Sequence, residues 1–380
     1  MKKWLGALFL GLFLLGSASV WAGKPYRIGA IFSITGPTSF IGEPERNTLV
    51  MLVDEINKAG GINGHPVEVI IYDTEGEEAN AVKKVTKLIV HDKVLAIIGP
   101  SRTGTTLAVI PFVERYKVPL ISCAAGIKIV EPVKPWVFKT AQSDRLAVKK
   151  IYSYCKAHGL KKIAIITVSN GFGQSGREQL KALAPQYGIE IVADELFGPK
   201  DVDMTAQLTK IRAKKPDAVV CWGTNPGPAI VAKNMRQLGM KQQLFMSHGV
   251  ASKKFITLAG EAAEGIILPA GKILVADQLP DTDPQKKLLL SYIARYKARY
   301  GEEPSAFGGH AYDAFLLLKH ALETAGADRA KIREALENAK GIVGIHGIFN
   351  MSPTDHNGLD EKTAFVLVRI KNGDWQLIKP

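Results

Sequence analysis

Two continuous apolar runs, Leu95–Ile98 and Val118–Ser122, stand on either side of a stretch with helical character. Strands without polar alternation are covered on both faces, and two of them joined through a helix form a parallel βαβ unit. That unit constrains the fold more than any other part of the chain, because parallel sheets belong to α/β architectures with helices on both sides. In such sheets ligands settle beyond the carboxyl ends of the strands. Here those ends are Gly99–Thr106 and Ser122–Gly126, where Gly, Ala and hydroxyl residues keep side-chain bulk away from backbone N–H groups. The first also opens a helix, whose N-terminus favours an anion.

The segment Gly99-Pro-Ser-Arg-Thr-Gly104-Thr105-Thr106 carries the two glycines of a phosphate-binding loop at the right interval. The lysine that should follow Gly104 is Thr105, so the charge that reaches the outer phosphates is missing. A carboxylate, which needs fewer donors, suits the loop better than a nucleotide.

The first residues bear on the compartment. Lys2 and Lys3 precede an apolar run, Trp4–Leu15, followed by Gly16-Ser-Ala-Ser-Val-Trp-Ala22. A basic start, a short apolar stretch and small residues before a cleavage point describe a signal peptide over 1–22, cut after Ala22. The run falls short of the roughly 20 residues a spanning helix needs. No lipid-accepting cysteine follows it, so the mature protein is expected to be soluble and exported.

The net charge of +13 invites a nucleic-acid reading. The basic residues, however, are spread over amphipathic segments such as Ala79–His91 and Lys286–Tyr300, and form no basic block with interleaved aromatics. A solvated surface that gathers anions is the expectation, with no nucleic-acid partner. Three cysteines, Cys123, Cys155 and Cys221, sit in apolar sequence. One disulfide is open to them in an oxidising compartment, and buried free thiols are the alternative that their surroundings favour.

Read in order, the chain alternates strand and helix twice over. Strands are expected at Tyr26–Phe32, Val67–Asp73, Leu95–Ile98 and Val118–Ser122, with helices at Pro44–Ala59 and Ala79–His91 among them. Ser33–Gly42 reads as a loop, and Lys139–Asp144 as a joint. A second series then begins, with strands at Lys162–Val168, Glu190–Leu196, Ala218–Trp222, Leu244–Ser247 and Glu264–Pro269. Ser169–Gly176 reads as a loop before a helix at Arg177–Tyr187. Helices at Gln285–Tyr300, Ala311–Thr324 and Ala330–Ala339 follow, and Thr363–Lys371 with Trp375–Ile378 closes as a hairpin around Asn372-Gly373. The fold class is therefore α/β, two doubly wound lobes.

The segments IGAIFSITGPTSFIG, INKAGGINGHPVEVIIYDTE, AIIGPSRTGTT, VPLISCAAG, IAIITVSNGFGQSG, LAGEAAEGIIL and FNMSPTDHNGLD, in this order, resemble the periplasmic solute-binding proteins of branched-chain amino acid ABC transporters, the leucine-binding type. The resemblance implies a type I periplasmic binding protein fold, with three crossovers near Ala141–Asp144, Pro269–Lys272 and Phe349–Ser352. Lobe I would comprise residues 23–142 and 272–350, and lobe II residues 143–271 and 351–380. It further implies capture of a small ligand by hinge closure, docking on a membrane ABC permease, no enzymatic activity and no cofactor or metal.

Carried onto this sequence, the serine that binds the ligand carboxylate corresponds to Thr103, flanked by Ser101 and Arg102. The carbonyl that takes an amine corresponds to Ala124, next to Ala125, and a second hydroxyl position falls on Gly126, which offers only its N–H. Phe172 is the covering aromatic of lobe II, and Phe307 an aromatic of the wall. Three positions depart from the pattern. The acidic residue that pairs with an α-ammonium reads His248, a lobe II tyrosine reads Thr224 beside Asn225, and a first-loop tyrosine reads Ile41. A buried ammonium without an anionic partner costs several kcal/mol. A carboxylate lacking an α-amine, such as an aromatic or keto acid, is therefore expected to fit at least as well as leucine.

Two other functions use the same features. A sensor subunit reporting to a membrane kinase needs the same ligand-dependent closure. An exported hydrolase would need a nucleophile and base, and Cys123 with His248 is the one pairing that can be assembled, without a G-x-S-x-G elbow or an H-E-x-x-H helix. Asp355-His356 has the composition of a catalytic pair, but is expected to be part of a tight polar turn.

Overall fold

The computed structural model describes residues 23–379. The expected signal peptide, 1–22, lies outside the described residues. The first series runs β1 (Tyr26–Phe32), α1 (Ser39–Lys58), β2 (Val67–Asp73), α2 (Glu78–Val90), β3 (Ile97–Ile98), α3 (Thr103–Tyr116), β4 (Leu120–Ser122) and β5 (Val137–Lys139). All five strands are parallel, in the order β2-β1-β3-β4-β5. The order reverses between β1 and β3, and that switch point opens a crevice beyond the strand ends.

The second series runs α4 (Asp144–Ala157), β6 (Lys162–Val168), α5 (Gly171–Leu183), β7 (Glu190–Phe197), α6 (Thr205–Ala213), β8 (Ala218–Trp222), α7 (Gly227–Gln237), β9 (Gln243–Met246), α8 (Lys253–Ala259) and β10 (Ile267–Ala270). The chain then adds α9 (Lys286–Tyr300), α10 (Ala306–Ala325), α11 (Arg329–Glu337), β11 (Ile342–Val343), β12 (Ile348–Phe349), β13 (Val366–Lys371) and β14 (Asp374–Ile378). The second sheet is β14-β13-β10-β9-β8-β6-β7. Its parallel part repeats the winding of the first, with a switch between β6 and β8; β13 and β14 are antiparallel additions. The strands β1, β6 and β8 are almost wholly buried, as continuous apolar runs require.

α10 packs along α1, so α9–α11 return to the first lobe. The crossovers are bonded to one another. Asn357 donates through Nδ2 to the carbonyls of Lys139 (3.2 Å) and Ala141 (3.1 Å), and Gln142 Nε2 donates to the Ala364 carbonyl at 2.8 Å. The lobes also touch directly. The Ile127 N–H donates to Ser175 Oγ at 3.3 Å, and Lys128–Glu178 and Arg145–Glu131 form ion pairs at 2.7 Å.

Three helices begin earlier than their sequence predicts: α1 at Ser39 rather than Pro44, α5 at Gly171 rather than Arg177, and α10 at Ala306 rather than Ala311. Glycine and an internal proline depress helix propensity there, and tertiary packing, α1 against α10 and α5 against α3, overrides it. β5, α8 and β11 were not expected. Within the polar turn His356 is fully buried: its ring stacks on Phe138 at 4.1 Å and Nδ1 lies 2.9 Å from the Val137 carbonyl. The turn that carries it is folded back onto the first lobe.

Candidate functional site

Between the lobes lies a cavity of about 60 Å³, at the carboxyl ends of both sheets. Of the sequence-predicted residues, Ile41, Ser101, Arg102, Thr103, Ala124, Ala125, Phe172, Thr224, His248 and Phe307 line it. Gly126 and Asn225 do not. The Gly126 N–H donates to Thr103 Oγ1 at 3.2 Å, so it props the threonine instead of facing a ligand. Asn225 is buried behind the wall, in the turn leading to α7. The wall also includes residues that sequence reasoning missed, notably Glu78, Asn170 and His310.

Ile41, Phe172 and Phe307 stand on the first turns of α1, α5 and α10, not on loops. Helix starts rich in glycine let two backbones meet. A Cβ at Gly171 would come within 3.3 Å of the Gly104 amide nitrogen, so the N-terminus of α5 lies directly against that of α3. A Cβ at Gly249 would come within 2.6 Å of the Phe172 ring, which fixes how deep that aromatic sits. Phe172 meets His248 edge-on with centroids 5.4 Å apart, and Phe307 meets Phe40 edge-on at 5.7 Å.

The two facing helix ends differ. Asn170 caps α5, its Oδ1 accepting from the N–H groups of Phe172 and Gly173, both at 3.0 Å. Arg102, at the N-cap of α3, makes no side-chain bond to its first turn. The first amides of a helix have no intrahelical acceptor, so α3 presents free donors and a positive dipole end to the cavity. The Arg102 guanidinium bonds the Gly76 carbonyl and stays at the wall.

Burial governs the ionisable groups nearby. The Glu45 carboxyl is pushed well above the usual range by desolvation, against a bond from the Ser101 hydroxyl. Ser101 is thereby occupied: it also accepts the Ser33 N–H at 3.0 Å. Burial raises Asp144 to about 6, opposed by the Ser175 hydroxyl and the charge of Lys139. Lys139 is pushed down to about 8 by burial, with Asp144 opposing. His248 is pushed down to about 3, first by burial and then by the charge of Lys139. Its Nε2 lies 4.0 Å from Asp144 Oδ1, beyond a hydrogen bond.

Cys123 also lines the cavity, but burial pushes its thiol well up while His248 is pushed down. A protonated thiol beside a weakly basic imidazole is the reverse of an activated nucleophile. All three cysteines are buried free thiols. Among the described residues, no group of three or more His, Cys, Asp or Glu is placed to hold a metal ion, and no helix is long and apolar enough to cross a membrane.

Two doubly wound lobes, three crossovers and a cavity where helix ends of both lobes meet define a type I solute-binding protein. The sequence pattern of the family described as "Periplasmic binding protein" matches residues 25–374, and the chain belongs to that family, whose members bind solutes and are not enzymes. It is similar to the leucine-, isoleucine-, valine-, threonine- and alanine-binding protein of Pseudomonas aeruginosa, 25% identical over 94% of this chain and 92% of the relative. An extracellular ligand-binding receptor from Rhodopseudomonas palustris HaA2 superposes with a TM-score of 0.87 at 31% identity, over 93% of this chain and 99% of that one. The branched-chain amino acid transporter substrate-binding protein LivJ of Streptococcus pneumoniae, in complex with isoleucine, does so with 0.82 at 28% identity, over 94% and 100%.

Proposed function

We propose that this periplasmic binding protein delivers a small carboxylate lacking an α-amine to a membrane ABC permease, after export and cleavage behind Ala22. The observation that carries this reading is the uncapped N-terminus of α3, with Thr103 at its first position, facing a cavity whose wall carries no buried carboxylate. Ser101, Arg102, Thr103, Ala124 and Ala125 form the half-site of lobe I. Phe172, Thr224 and His248 form that of lobe II, and Ile41 and Phe307 close the sides.

An α-ammonium would need an anion within the cavity. The wall's carboxylate, Glu78, is exposed at the start of α2. Glu45 is held neutral behind Ser101, and Asp144 stands behind His248. A carboxylate, by contrast, meets free helix amides and a hydroxyl, the charge-assisted kind of hydrogen bond.

Closure moves residues 23–142 with 272–350 against 143–271 with 351–380, the Ser352–His356 turn remaining on lobe I through His356 and Phe138. The contacts Lys128–Glu178 and Arg145–Glu131 then act as exposed latches, each worth little on its own. The test is a thermal-shift screen of the mature protein against amino acids, aromatic acids and keto acids, since a ligand that binds only the native state raises its melting point. Aromatic or keto acids are expected to give the large shifts. A clear leucine shift with silence from every amine-free acid would reverse the proposal.

A further inference from the structure

Two histidines enter the cavity from opposite sides. His248 follows β9 in lobe II, and His310 stands on the first two turns of α10 in lobe I. Both are more than nine-tenths buried, at 7% and 5% exposure. Among the described residues, both ring nitrogens of His248 and Nδ1 of His310 are buried without a hydrogen-bond partner. Leaving such a group unsatisfied is costly, so native structures nearly always provide a partner. None of the other buried groups without partners sits in a pair across a ligand cavity.

Neither ring has a second use that accounts for it. His248 is boxed by the rings of Phe172, Trp222 and Phe365, with centroids 5.4, 5.7 and 5.3 Å away. Asp144 Oδ1 lies 4.0 Å from its Nε2, beyond a hydrogen bond. His310 stacks on His346 at 3.9 Å, and His346 is tied by Nδ1 to Asp313 Oδ2 at 3.0 Å, so the ring of His310 is held in place from behind. Burial pushes both imidazoles below their ordinary range, and so both are neutral near pH 7.

We propose that His248 and His310 together clamp a hydroxyl or carbonyl oxygen that the ligand carries in addition to its carboxylate, one imidazole from each lobe. A neutral imidazole offers one donor and one acceptor. Two of them satisfy a hydroxyl, which both gives and takes, or a carbonyl, which takes. A hydrocarbon there leaves the nitrogens unmet. The ligand class is thus narrowed to hydroxy or oxo acids, and the same oxygen links the two lobes when they close. This rests on the amine-free carboxylate reading above.

The experiment is isothermal titration of the mature protein with two matched pairs: 4-hydroxybenzoate against benzoate, and 4-methyl-2-oxopentanoate against 4-methylpentanoate. In at least one pair the oxygen-bearing member is expected to bind about tenfold more tightly or better. The pair that responds locates the oxygen, on a ring or next to the carboxylate. In His248→Phe and His310→Phe that ratio falls towards one. His248→Gln and His310→Gln, which keep a donor and an acceptor, recover part of it and cover the case of a phenylalanine variant that does not fold. Equal affinities within both pairs would overturn the clamp and leave the carboxylate reading standing. Leucine binding with all four acids silent would overturn that reading, and the clamp with it.

Discussion

The N-termini of α3 and α5 meet at the cavity, yet only one is capped. Asn170 occupies the first amides of α5 with a side-chain oxygen, whereas Arg102 leaves those of α3 bare. Both helices follow parallel strands at a switch point, so the topology gives each lobe the same anion-binding end. A single capping residue decides which end keeps it. In the proposed function the uncapped end gives up helix stability and would gain a ligand, while the capped end carries Phe172. Under the proposed function, capture of the charge falls to lobe I and coverage to lobe II.

The sharpest way to break that contrast is to cap α3. Arg102→Asp supplies an N-cap carboxylate and removes a positive charge from the wall. It is expected to weaken carboxylate binding about 100-fold or more, the value of two charge-assisted hydrogen bonds. It should also raise the stability of the ligand-free protein by about 1 kcal/mol. Titration calorimetry and denaturant unfolding read the two effects, and a loss of both affinity and stability would show that Arg102 is structural.

Thr103→Ala removes one hydroxyl from the same end and the acceptor of the Gly126 N–H. About a tenfold loss of affinity is expected, measured by the same titration. Asn170→Ala opens the other end. It should cost about 1 kcal/mol of stability while affinity for the carboxylate changes less than threefold, since the charge is held across the cavity. A variant that loses affinity as Thr103→Ala does would erase the distinction between the lobes.

A last effect concerns pH. An unfolded imidazole takes a proton near 6.5, whereas His248 in the fold resists one down to about 3. Between those values the unfolded state holds more protons, so this group makes stability fall as pH falls. Asp144, raised from 3.8 to about 6, acts in the opposite sense over its own interval. His248→Gln removes the first contribution alone. Its melting temperature should therefore decline less than the wild type's between pH 6.5 and pH 4, in calorimetric scans.

The sheets were legible because burial on both faces writes itself as uninterrupted apolar runs: Tyr26–Phe32, Lys162–Val168 and Ala218–Trp222 are found where the sequence puts them. β5 was missed because Val137–Lys139 is only three residues long and includes a lysine whose burial depends on the crossover around it. The strand-end loops showed the anion-binding half of the site for the same reason that they showed the βα joints. Ile41 and Phe172 carried no helical signal, because glycine and proline around them say loop while tertiary packing, α1 on α10 and α5 against α3, says helix; Phe307 was expected near a helix start and stands on one. Gly126 and Asn225 were placed on the wall by position alone, and local bonding and burial take them off it. His310 gave no sign at all. Nothing in AFGGH tells a buried, unpartnered imidazole from one satisfied by a neighbour, and only the return of α10 to lobe I brings it opposite His248.

Leucine and 4-methyl-2-oxopentanoate share a carbon skeleton and a carboxylate and differ in one group, an ammonium against an oxo oxygen. Titrating both into the mature protein, and again into Glu78→Gln, isolates the amine. The keto acid should bind at least tenfold more tightly than leucine, with its affinity unchanged in the variant. Tighter binding of leucine, lost when Glu78 is neutralised, would mean that the rim carboxylate clamps an ammonium and that the cavity is an amino-acid site after all.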